Sequence, residues 1–459
     1  MKPSIPQGTR DFGPEIVFKR QYILNTIRSV FELYAYQPLE TPSMENLNTL
    51  MGKYGEEGDR LIFKILNNGL HEKKDKEKIQ QEWDKVISKP YSSSTITERA
   101  LRYDLTIPFA RFVVMHQNDL AFPFKRYQMQ PVWRADRPQR GRYREFWQCD
   151  ADVVGSKSLV NEAELLCIYH AAFHLLKVPQ VTVKINSRKL LAGLAEVLNL
   201  SEQLTAITVA IDKLDKIAWE GVAKELREKQ IEETAINFIE QYLNVEGSNE
   251  ERLNKMENLL KESDTAKKGI EELRATLGYF NQLKNTEWNS ELRIDFTLAR
   301  GLNYYTGVIV EVATSAVKMG SIGGGGRYDD LTGLFGLKGL SGVGVSFGID
   351  RIYDVIEELD LFPEQLTETT KVLILLMDEQ GLSKGLNYLS QLRAAGISSA
   401  IYADKAKFDK QMKYANKRNI PFVAIIGESE LEKETIILKD MQLGNQQELK
   451  INEIIAKFS

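Results

Sequence analysis

Apolar residues recur at helical spacing between Pro14 and Tyr34, at Ile16, Ile23, Ile27, Val30, Phe31 and Tyr34, and Gln37-Pro-Leu-Glu-Thr-Pro42 then stops the pattern. This predicts a long helix followed by a short strand. Aromatic and β-branched residues crowd Arg99–Tyr103, 124–133 and 144–154, which read as strands. A helix at 161–176 and an alternating strand at 181–185 follow. From about 195 to 285 the chain turns Glu/Lys/Leu-rich and helical, with almost no strand signal. Strands resume at 292–296 and 307–314, a glycine cluster follows at 323–326, and a helix runs from 348 to about 359. Beyond Phe362-Pro363 the pattern alternates: strand 371–377, helix to about 395, strand 399–402, helix 407–418, then strands at 421–427, 435–439 and 448–451. That order predicts a compact βαβ unit with a parallel or mixed sheet.

The predicted division is 1–195, carrying an exposed charged insert at about 70–96, then a helical insertion at 196–285, a continuation of the first unit at 286–362, and a separate unit at 363–459. The insert contains HEKKDKEKIQQEWDKVISK, with six lysines and five acidic residues, and suits a solvated helix.

At 459 residues, 43% hydrophobic and 27% charged, the chain has the composition of a globular protein of about three domains. It lacks an apolar run of about 18 residues, which argues against a membrane span, and its N-terminus lacks secretory or transit character. A cytoplasmic protein is expected. The formal charge of −4 provides no global attraction to nucleic acid, so a polynucleotide partner would need a local basic surface. Cys149 and Cys167 are expected as reduced thiols. His170 and His174 are four apart on a helix and could ligate zinc together, but without a third ligand packing or surface roles are expected.

Four segments carry chemistry. Trp133-Arg-Ala-Asp-Arg-Pro-Gln-Arg-Gly-Arg-Tyr-Arg-Glu-Phe-Trp147 holds five arginines around a Pro-Gln-Arg-Gly turn. It reads equally well as a phosphate-binding hairpin or a charged, solvated one. In Ala299-Arg-Gly-Leu-Asn-Tyr-Tyr-Thr-Gly307, Arg300 sits between apolar neighbours and calls for an anion: a bound carboxylate or phosphate, or Asp295. Gly323-Gly-Gly-Gly-Arg-Tyr-Asp329 would allow close backbone approach to a ligand, or form a flexible turn. Gly342-Val-Gly-Val-Ser-Phe-Gly-Ile-Asp-Arg351 runs from a strand into a helix that presents Arg351. Asp104 adds a carboxylate, and Gln148, Asp150 and Asp152 share one strand face by period two, an arrangement suited to an ammonium or imidazolium ligand.

In this order the segments resemble the histidyl-tRNA synthetases, a class II aminoacyl-tRNA synthetase family. The segment up to Pro42 resembles motif 1, the hairpin around Arg134 motif 2, and Gly342–Arg351 motif 3. The segments at 300–305 and 323–329 resemble the two histidine-specific signatures. The resemblance implies an α/β chain: an α+β catalytic domain with an antiparallel sheet of class II type, a helical insertion domain and a C-terminal βαβ anticodon-binding domain. It implies that Asp104, Thr106 and Gln148 hold the α-amino group of L-histidine, that Asp152 and Tyr305 read its imidazole, and that Tyr304 lines the pocket. Arg134 and Arg300 would bind the carboxylate and α-phosphate, Asp136 would join Arg134 at ATP, and Arg351 would bind the ATP tail. Asn303 stands where the family often has Asp. ATP with Mg²⁺, tRNA-His and a homodimer are implied as partners. Arg137, Gln139 and Arg140 at the motif 2 tip are candidates for the tRNA acceptor end. Lys410, Lys413 and Lys417, on one face of a helix, are candidates for the anticodon arm.

Overall fold

The structure is a computed structural model that describes residues 2–88, 93–299, 304–363, 366, 370–377 and 380–458. The chain divides into two compact units, Met1–Phe362 and Pro363–Ser459.

The first unit is built on an eight-stranded mixed sheet. Its order is Gln37–Pro38, Phe124–Trp133, Glu145–Val154, Ser341–Gly348, Gly323–Asp329, Val308–Thr314, Val181–Ser187 and Glu291–Ile294. The six central strands are antiparallel, and only the two edge pairings are parallel. Alternation decides the two faces. On Glu145–Val154, Cys149, Ala151 and Val153 point into the core, whereas Gln148, Asp150 and Asp152 take the other side.

Helices cover the core side. Pro14–Leu33 starts with its proline in the first turn, where a missing N–H costs nothing. It buries Ile23, Leu24, Ile27, Val30 and Phe31 and packs against Val160–Leu175 and Ile349–Glu358. Helices also fill most of 188–283, and the longest, Asp264–Leu283, packs on Arg188–Val197 and Val160–Leu175. Their apolar faces join the sheet in a single hydrophobic cluster. The charged insert forms the helix Lys76–Ser88, with no described side chain buried.

The glycine-rich segment 323–329 is a strand, not a flexible turn. A Cβ on Gly325 would collide with the Gly344 carbonyl on the neighbouring strand, and one on Gly326 with the Tyr305 ring and the Val308 carbonyl. The glycines thus admit protein neighbours. Arg99–Leu101 is the middle strand of a separate three-stranded sheet with Met44–Asn46 and Lys64–Ile65, and the chain after it enters a helix, Thr106–Met115, that the apolar pattern does not reveal.

The second unit is a five-stranded mixed sheet, ordered Ser399–Ile401, Val372–Leu376, Phe422–Ile426, Ile436–Asp440 and Gln446–Leu449. The first three strands are parallel, the last two antiparallel. Apolar clusters lie on both faces, which explains the unbroken runs Val-Leu-Ile-Leu-Leu and Phe-Val-Ala-Ile-Ile. The chain does not continue as a strand to Ile451. A helix, Ile451–Phe458, begins there, its start held by the Lys450 N–H on the Glu453 carboxylate at 2.7 Å. A short helix, Glu428–Lys433, was also absent from the sequence reading.

Candidate active site

The polar face of the large sheet carries a cluster of buried titratable groups. Asp104 follows the strand Arg99–Leu101 and is 2% exposed. Its carboxylate accepts from Tyr54 Oη at 2.9 Å, Tyr304 Oη at 3.2 Å and the Ile107 N–H at 3.2 Å, so it also holds the start of the helix Thr106–Met115. Thr106 opens that helix and hydrogen-bonds Tyr304. Burial pushes the Asp104 pKa up, while these donors and nearby Arg134 pull it down.

Asp152 is held by Tyr328 Oη at 2.6 Å, and Arg126 Nη2 lies 2.9 Å from its Oδ2, although no hydrogen bond is aligned on that oxygen. Arg126 is fully buried beneath Phe109, with its guanidinium 4.3 Å from the ring centroid. Burial raises the Asp152 pKa, against the pull of Arg126. Asp150, two residues along the same strand face, is pushed up to about 7, by burial first, with Arg126 opposing it and Asp152 and Asp104 adding repulsion.

Several buried polar atoms here make no hydrogen bond: the acceptors Gln148 Oε1, Asp150 Oδ1 and Gln128 Oε1, Asp152 Oδ2 apart from its ion pair with Arg126, and the donors Arg126 Nε and Nη1. Buried polar groups of this kind are costly unless something meets them, and a polar cation would meet several of the acceptors at once. Tyr304, Tyr305 and Tyr328 wall the same region, with ring centroids 5.0 Å apart for Tyr304–Tyr305 and 6.2 Å for Tyr304–Tyr328.

The hairpin Phe124–Trp133/Glu145–Val154 forms with Trp133 opposite Glu145, and its tip closes on a bridge between Gln139 and Arg142. Arg134 is half-buried at its root, donating Nε to the Tyr103 carbonyl at 3.1 Å and lying 4.2 Å from the Tyr103 ring centroid. Asp136 lies 3.7 Å from Arg142. Arg137, Gln139 and Arg140 are exposed at the tip, and Arg140 pairs with Glu358. Gly141, at φ +71°, makes the turn that the Pro-Gln-Arg-Gly sequence requires. Arg351 reaches back to it, donating to the Gly141 carbonyl at 2.7 Å and the Ser321 carbonyl at 2.6 Å. The fourth chemical segment thus meets the hairpin turn.

Arg300 and Asn303 lie outside the described residues. Asp295 is engaged by Lys184 at 3.0 Å and by the Thr297 hydroxyl at 2.6 Å. In the second unit, Lys410, Lys413 and Lys417 are exposed on the helix Phe408–Lys417, while Phe408, Met412 and Ala415 pack inward. His170 is 1% exposed, stacked between Phe280 and Trp288 and hydrogen-bonded through Nδ1 to Ser290. Among the described residues no cluster of three or more His, Cys, Asp or Glu could hold a metal ion.

Sequence reasoning missed Arg126, Tyr328 and Ser346. Arg126 and Gln128 alternate on the strand beside Asp152 and Asp150, so period two would have found them had the strand register been known.

Comparison with known proteins gives the family. A family model described as histidyl-tRNA synthetase matches residues 80–352, and one described as anticodon binding domain matches 371–459. The histidine–tRNA ligase of Christiangramia forsetii is 54% identical over 98% of each chain, and that of Bacteroides fragilis 52% identical over 100% of this chain and 99% of its own. A crystal structure of histidyl-tRNA synthetase from Nostoc sp. PCC 7120 superimposes with a TM-score of 0.81 at 31% identity, covering 100% of both chains. A Bacillus halodurans structure titled as an ATP phosphoribosyltransferase regulatory subunit/histidyl-tRNA synthetase shares the fold, with a TM-score of 0.70 at 18% identity. This chain belongs to the histidyl-tRNA synthetase family.

Proposed function

We propose that this chain is a histidine–tRNA ligase: it activates L-histidine with ATP to histidyl-adenylate and pyrophosphate, then transfers histidine to the 3′-terminal adenosine of tRNA-His. The observation that carries this reading is the buried row of acceptors, Gln148 Oε1 and Asp150 Oδ1 without a hydrogen bond and Asp152 Oδ2 met only by the Arg126 ion pair, walled by tyrosines. An α-ammonium and an imidazole N–H are the donors such a row lacks, and a side chain without them would leave buried groups unpaired. In this reading Asp104, Thr106 and Gln148 hold the ammonium, Asp152 and Tyr305 read the ring, and Tyr304 closes the side.

The histidine carboxylate attacks the α-phosphorus of ATP, and pyrophosphate leaves. Both reactants are anionic, so Arg134 and Arg300 lower the barrier by offsetting their repulsion and the charge that develops in the transition state. No protein nucleophile is needed; rate comes from position and electrostatics. Asp136 and Arg351 belong to the ATP side, with magnesium entering as part of the substrate MgATP. The ribose hydroxyl of tRNA then attacks the adenylate. Arg137, Gln139 and Arg140 would meet the acceptor end, and Lys410, Lys413 and Lys417 the anticodon arm.

The parts follow the same reading: catalytic residues in 1–195 and 286–362 around a helical insertion at 196–285, an anticodon-binding domain at 363–459, a homodimer, and a cytoplasmic site of action beside the translation machinery. The test is ATP–pyrophosphate exchange with each of the twenty amino acids, followed by tRNA charging. Exchange with histidine alone and subsequent charging supports the reading. Histidine binding without exchange points instead to a regulatory protein. Arg300→Ala should reduce exchange by about two orders of magnitude or more; near-normal exchange would remove that residue from the chemistry.

A further inference from the structure

Asp150 has no role in the reading above, yet it sits at the centre of the pocket's polar row. Across the sheet it faces Gln128 in Phe124–Trp133 on one side and Ser346 in Ser341–Gly348 on the other. Ser346 is fixed at the backbone by Tyr169, whose hydroxyl lies 2.8 Å from the Ser346 and Gly324 carbonyls and accepts the Ser346 N–H at 3.2 Å. The Ser346 side chain faces Asp150 across the strand pair and favours its ionised form, and the Ser346 oxygen accepts from Gln148 Nε2 at 2.9 Å.

Proton counting gives this chain a direction. A serine hydroxyl has one hydrogen to donate, and Asp150 in its ionised form only accepts. The Ser346 proton therefore goes to Asp150, and the Ser346 oxygen is left to accept from the Gln148 amide. That turns the amide NH₂ toward Ser346 and leaves Oε1 buried and unpartnered. We propose that Asp150 is a positioning residue: through Ser346 it holds the amide of Gln148 with the carbonyl oxygen, not the NH₂, presented to the α-ammonium of histidine. The inference rests on Gln148 being an ammonium ligand. An amide at position 150 could donate to Ser346, free the serine proton for Gln148, and allow the Gln148 NH₂ to face the ammonium, donor against donor.

Histidine-dependent ATP–pyrophosphate exchange on the full chain tests this. Asp150→Asn should raise the KM for histidine about tenfold or more, the worth of a hydrogen bond to a charged group, while kcat and the KM for ATP stay within about twofold. Ser346→Ala, which removes the relay without touching a charge, should do the same and stands in if the first variant fails to fold. Inhibition by imidazolepropionate, which lacks the amino group, should be unchanged in both. In a Gln148→Ala background, Asp150→Asn should add nothing further, because residues acting through one another are not additive. The proposal is overturned if the histidine KM is unchanged in both single variants, or if Asp150→Asn has its full effect without Gln148. If Gln148→Ala itself leaves the histidine KM unchanged, the underlying ammonium reading has failed instead.

Discussion

Arg327 and Glu162 form a buried ion pair, Nη2 to Oε2 at 2.8 Å, with side chains 6% and 1% exposed. Arg327 belongs to the glycine-rich histidine signature, and this pair ties that strand to the helix Val160–Leu175. Removing one partner would strand the other as a buried charge, which costs about 3–5 kcal/mol. Arg327→Met should therefore destabilise the first unit by that order in urea unfolding. Adding Glu162→Leu should recover much of the loss, as replacing both members with apolar groups often does.

His170 gives a pH signature. Burial, assisted by Lys284, lowers its pKa from 6.5 to about 4. Between these values the unfolded chain binds a proton that the folded protein does not. Its contribution is therefore complete above pH 6.5 and lost as pH falls toward 4, amounting to about 3 kcal/mol. His170→Phe, placed between the same two aromatic rings, should show a smaller fall in urea midpoint over that range than the parent protein.

Gly344 is small because Asp152 occupies the space its side chain would take; a Cβ there would overlap Asp152 Oδ1 and come within 3.2 Å of the Ala151 carbonyl. Gly344→Ala should displace the carboxyl and raise the KM for histidine at least about tenfold, with the KM for ATP little changed. An unaltered histidine KM would show that Asp152 does not contact the ring.

Reversing Lys410, Lys413 and Lys417 to glutamate should leave ATP–pyrophosphate exchange intact, since these side chains are exposed on the second unit and none of them serves its core. Affinity for tRNA should fall, and the slope of log K against log salt should shrink by roughly two to three if each lysine meets one phosphate. An unchanged slope would place the anticodon arm elsewhere.

Local pattern determined a large part of this protein. The helix Pro14–Leu33, the hairpin strands Phe124–Trp133 and Glu145–Val154, and the shared face of Gln148, Asp150 and Asp152 could be read directly, because periods of 3.6 and 2 are imposed by the backbone itself. What lacked a side-chain pattern could not be read. Four consecutive glycines at 323–326 form a strand because the strands on either side supply the hydrogen bonds and the space, and the C-terminal helix Ile451–Phe458 depends on a cap set by Glu453. Register brings Arg126 opposite Asp152 and Ser346 opposite Asp150, the latter pair 196 positions apart along the chain. Such pairings depend on strand order in a folded sheet. The kinds of residue in the pocket were therefore legible along the chain, whereas which of them share a proton or a charge was decided only by the tertiary structure.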